Sequence, residues 1–64
     1  MNGTVREFDE PSGIGLITSA DDQPFVFQCI EIEDGTRDIE VGQAVSFRPL
    51  PRFGAFQAGA IEKR

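Results

Sequence analysis

The feature that most constrains this chain is its punctuation. Turn-forming residues recur at short, even intervals: Gly3, Pro11-Ser12-Gly13, Asp21-Asp22-Gln23-Pro24, Asp34-Gly35, Gly42 and Pro49-Leu50-Pro51. No segment between them holds apolar residues at helical spacing over three turns, which excludes a long amphipathic helix. Short apolar segments at such intervals predict an all-β barrel or sandwich. With 64 residues there is room for a single domain, 1–64, and no interdomain cleft. The longest aliphatic or aromatic run is Phe25-Val26-Phe27, against the ~20 residues of a membrane-spanning helix. Nothing before Gly3 has the charged start and apolar stretch of a signal peptide.

Five strands follow. The first, Thr4 to Asp9, carries Val5 and Phe8 as its large apolar residues. Their spacing of three breaks strict alternation and predicts a bend or bulge. The second, Ile14 to Ser19, sets Gly15 and Ile17 on one face and Ile14 and Leu16 on the other. The third, Pro24 to Cys29, opposes Phe25 and Phe27 to Val26 and Gln28. The fourth, Ala44 to Arg48, points Val45 and Phe47 inward, and the last, Ala55 to Ile61, points Gly59 and Ile61 inward. Ile17, Phe25, Phe27, Val45, Phe47 and Ile61, helped by Val5, Ile32 and Ile39, form the expected core. Each large apolar side chain fully buried there stabilises by about 1.5–3 kcal/mol. The Ile30 to Val41 connection is too long for a tight hairpin and is expected to cross the barrel.

Residue counts remove most catalytic chemistry. With no His, the chain has no imidazole base, no His-based triad and no imidazole metal ligand. Its one cysteine, Cys29, forms no internal disulfide or thiolate metal site, and an unpaired thiol fits a reducing cytoplasm. The reading is therefore a non-enzymatic protein with no cofactor and no metal. Eleven acidic residues against six basic ones give a net charge of −5, which repels nucleic acid and anionic membrane in bulk. Any polyanion site needs a local basic patch.

The order of residues is similar to the bacterial cold-shock proteins. Gly3-Thr4-Val5-Arg6-Glu7-Phe8-Asp9, Ser12-Gly13-Ile14-Gly15-Leu16-Ile17, Phe25-Val26-Phe27, Val41-Gly42-Gln43-Ala44-Val45-Ser46-Phe47 and Gln57-Ala58 carry the resemblance along almost the whole chain. It implies a small five-stranded antiparallel OB-fold barrel, a cold-shock domain, that binds single-stranded RNA or DNA. The family's base-stacking rings are replaced here. A first-strand tryptophan aligns with Glu7, a lysine with Ser12, and the two second-strand phenylalanines with Ile14 and Leu16. On the third strand the outward phenylalanine, histidine and final phenylalanine align with Val26, Gln28 and Cys29, and an aromatic of the long connection with Thr36. Base–ring stacking is worth about 1–3 kcal/mol per base. Three lost stacks amount to ~3–9 kcal/mol, a few hundred-fold to a millionfold in affinity.

Two candidate surfaces remain. A weakened or displaced nucleic-acid site would use Arg6, Ile14, Leu16, Val26 and Gln28, with Arg48, Arg52, Phe53 and Phe56 as a basic and aromatic group on the last hairpin. The plainer reading of that hairpin has Phe53 covering an end of the barrel and the arginines as ordinary surface. A protein-partner surface would use Glu7, Ile14, Leu16, Val26 and Cys29, whose aliphatic groups form a patch in place of rings. Its plainer reading has the long connection or the C-terminal residues folding over the patch and making it extra core. Expected partners are single-stranded RNA or DNA, bound weakly, or a protein, with no membrane and a monomer or weak homodimer.

Overall fold

In a computed structural model, residues 1–33, 39–52 and 55–64 are described, and they form a closed five-stranded barrel. The strands are β1 (Asn2–Asp9), β2 (Ile14–Ser19), β3 (Pro24–Gln28), β4 (Ala44–Arg52) and β5 (Ala55–Lys63), in barrel order β1-β2-β3-β5-β4. Neighbours are antiparallel except at the closing seam, where β3 and β5 run parallel over Val26↔Gln57 and Phe27↔Ala58. A single 3-10 turn, Cys29–Glu31, follows β3. The third strand thus stops one residue short of expectation. The Cys29 N–H donates across to the Gly13 carbonyl at 2.6 Å, and the Ile32 N–H closes the turn on the Cys29 carbonyl at 3.1 Å.

The break in the first strand's alternation is a β-bulge. Val5 pairs with Ile17 and Glu7 with Leu16, which leaves Arg6 as an extra residue without a partner on β2. The bulge lets Val5 and Phe8 both turn inward. A second bulge interrupts β4–β5, where Ser46 pairs with Glu62 and Arg48 with Gly59. The extra residue lies on β5, and Ala60 takes a φ of 50° within it. Its N–H is met by the Glu31 carboxylate at 3.3 Å, so the 3-10 turn is tied to the bulge.

β4 runs four residues beyond the expected strand, through Pro49 and Pro51. Its pairing to β1 ends at Ser46, after which that edge has no partner strand among the described residues and tolerates a missing N–H. The core is the expected one. Val5, Ile17, Phe25, Phe27, Ile32, Ile39, Val45, Phe47 and Ile61 are all buried, joined by Ala58. The crossing connection contributes Ile32, bridged in parallel to Ile61, and the Glu33 N–H donates to the Ile61 carbonyl at 2.8 Å.

One glycine organises the β1–β2–β3 side. Phe8, Gly15 and Phe27 occupy one register row across the three strands. Because residue 15 has no side chain, the flanking rings close over it and stack, with centroids 5.8 Å apart and planes 7° from parallel. A Cβ on Gly15 would sit 2.5 Å from the Phe27 ring and 2.6 Å from the Glu7 carbonyl oxygen. Phe27 is fully buried and cannot swing aside. Gly15→Ala is therefore expected to cost about 1–3 kcal/mol, the range for overpacking, read as a lower urea midpoint. An unchanged midpoint would mean that the ring pair relaxes freely.

Candidate nucleic-acid interface

Alternation along paired strands decides what the outside of the barrel carries. Inward rows hold Val5, Ile17 and Phe25, then Phe8, Gly15 and Phe27. The outward rows between them hold Thr4, Thr18 and Pro24, then Glu7, Leu16 and Val26, then Asp9, Ile14 and Gln28. The inward rows combine the rings Phe8, Phe25 and Phe27 with aliphatic Val5 and Ile17, whereas the outward apolar side chains Ile14, Leu16 and Val26 are aliphatic. Ile14 is 47% exposed and Val26 43%, while Phe25 and Phe27 are buried.

Glu7, Ile14, Leu16 and Val26 come together around an open groove of about 370 Å³, with Asp9 on its rim. Its charged lining residues, Glu7 and Asp9, are both acidic. Phe8 also lines it. This half-buried ring, one side stacked on Phe27, is a groove residue that alternation on β1 does not reveal. The signal for it is the glycine opposite, since an empty position between two phenylalanines in register brings both rings toward the gap.

Other candidates stand apart. Arg6 lines a separate groove with Thr4 and Thr18. Arg48 lines a third, together with Glu33 and Glu62. Gln28 is exposed beside Ile14 in the register. Cys29 is half-buried against the core on the 3-10 turn and does not line the apolar groove. Phe56, paired with Pro51, is 59% exposed and touches the core by a tilted contact to Phe25, centroids 6.2 Å apart. Phe53, Thr36 and the side chain of Arg52 lie outside the described residues.

No family model matches this sequence. No curated protein matches it either. Among solved structures the chain is similar to drosophila Unr CSD456, with a TM-score of 0.82 and 25% sequence identity over 98% of this chain. The fold is that of a cold-shock domain. The match takes in 26% of the Unr CSD456 chain, so this barrel corresponds to about a quarter of that chain's length. Within a cold-shock domain, the groove on β1–β3 occupies the face where the sequence resemblance places the family's rings. Among the described residues, no helix is long and apolar enough to cross a membrane, and no group of three or more Asp, Glu or Cys side chains is placed to hold a metal ion.

Exposure separates residues that serve the surface from those that serve the barrel. Ile14→Thr and Val26→Thr are each expected to shift stability by about 0.5 kcal/mol or less. Phe8→Ala is expected to cost about 1.5–3 kcal/mol through lost burial. Urea titration of the three variants checks this ordering, and an equal loss in all three would place Ile14 and Val26 in the core.

Proposed function

We propose that this cold-shock domain is a non-enzymatic binding module that takes single-stranded RNA or DNA weakly along the outer face of β1–β3. The single observation behind this reading is the likeness of the whole chain to a cold-shock domain of known structure. The affinity is low because Ile14, Leu16 and Val26 offer bases an aliphatic surface in place of rings, and Glu7 and Asp9 repel phosphate at its rim. The unpaired Cys29 is in keeping with a reducing, cytoplasmic setting.

A second reading is favoured by one feature of the groove: apolar exposure combined with purely acidic charge. That combination suits a protein surface, and the same residues would then bind a partner or a second copy in a weak homodimer. Leu16→Asp is expected to abolish such an association in analytical ultracentrifugation or pull-down.

Titration with pyrimidine-rich and mixed-sequence oligonucleotides at low salt, followed by NMR, tests the first reading. Small shifts confined to β1–β3 residues are expected, whereas none at roughly tens of micromolar protein would remove it. The triple variant Ile14→Phe, Leu16→Phe, Val26→Phe is expected to gain at least about tenfold in single-strand affinity. A correctly folded triple variant with unaltered affinity would show that ring loss is not what weakens binding.

A further inference from the structure

We propose that Thr4, Arg6 and Thr18 form a seat for one phosphate of a bound single strand; this rests on the nucleic-acid reading of the outer face. The three residues line a groove of about 310 Å³ on β1 and β2, distinct from the apolar groove. Thr4 and Thr18 are directly opposite in the β1–β2 register. Facing side chains in such pairs have Cβ atoms ~4.5–5.5 Å apart, close enough for two hydroxyls to share one oxyanion.

The backbone aims the cation. Arg6 is the extra residue of the β1 bulge, and bulges commonly redirect a side chain beside a functional site. No described residue pairs with its guanidinium or with the Thr4 and Thr18 hydroxyls. Ser19, also in the groove, is already committed: its hydroxyl donates to Asp21 and accepts the Gln23 N–H at 3.1 Å. The seat therefore supplies a planar guanidinium fork and two free hydroxyls, a donor set suited to phosphate oxygens. Asp22 also lines the groove, and its carboxylate opposes the anion. On a chain of net charge −5, an anion stays only where donors contact it directly.

Position selects a backbone phosphate over a free one. Glu7 and Leu16, which line the apolar groove, adjoin Arg6 on β1 and lie two residues from Thr18 on β2, about 7 Å along the strand. A nucleotide whose phosphate sits at Arg6 thus has Leu16 and Val26 within reach of its base.

The test uses the whole chain, labelled with nitrogen-15, titrated at low salt with a pyrimidine-rich oligonucleotide and separately with inorganic phosphate. The oligonucleotide is expected to shift the Arg6 side-chain Nε–H resonance together with the Thr4 and Thr18 amides, and phosphate alone to shift them far less. Arg6→Gln should weaken the oligonucleotide about tenfold, equally for all sequences. It should also flatten the slope of log K against log salt by about 0.7, the share of one single-strand phosphate. Arg6→Lys should restore the slope and only part of the affinity, and Asp22→Asn should tighten binding. Shifts at Ile14, Leu16 and Val26 with affinity and slope indifferent to Arg6→Gln would overturn the seat and leave the proposed function standing. Phosphate moving Arg6 while the oligonucleotide moves nothing would overturn the backbone assignment together with the nucleic-acid reading. Silence toward both ligands would overturn both.

Discussion

The stacked pair of Phe8 and Phe27 over Gly15 is the contact on which this molecule turns. The pair spans three strands, because the middle strand gives up a side chain and the outer two fill the vacancy. It thereby fixes the register of β1, β2 and β3 relative to one another. A one-residue slip on β2 would bring Ile14 or Leu16 beneath the rings and turn the hydrophobic set outward. The same contact leaves one side of Phe8 at the edge of the outer groove, so a packing device also shapes the surface.

The outer groove of β1–β3 differs in chemistry from the barrel's interior. Phe25 and Phe47 meet in the interior with centroids 5.0 Å apart, whereas the groove on β1–β3 is lined by aliphatic groups and carboxylates beside the half-buried Phe8 ring. Burial rewards rings and aliphatic chains alike, so the interior does not need the exterior's rings to remain stable. Base recognition does need them, because stacking depends on a flat polarisable face. Fold and base-stacking capacity are therefore separable in a barrel of this kind. The likeness to a cold-shock domain speaks to the first alone.

The two bulges work differently. At Arg6 the extra residue reconciles two inward side chains and sends a cation outward. At Ala60 it bends β5 and exposes an N–H, which the Glu31 carboxylate then satisfies from the crossing connection. The first serves the surface, whereas the second anchors the connection that carries Ile32 into the core.

Much of the fold was legible in the order of residues. Alternation in Ile14 to Ile17 and Phe25 to Phe27 assigned inside and outside correctly, since side chains on a strand can face only two ways. The spacing of Val5 and Phe8 signalled the first bulge for the same reason. By itself, then, the sequence determined the strands, the core and the absence of outward rings on β1–β3. Tertiary structure decided the rest. Only the partner across β2 makes Phe8 a groove residue, only the end of β1 pairing admits Pro49 and Pro51 into β4, and only the bulge separates Arg6 from Glu7 into another groove. Each is a relation between strands far apart in the chain, and local pattern carries no record of which residue will lie opposite which.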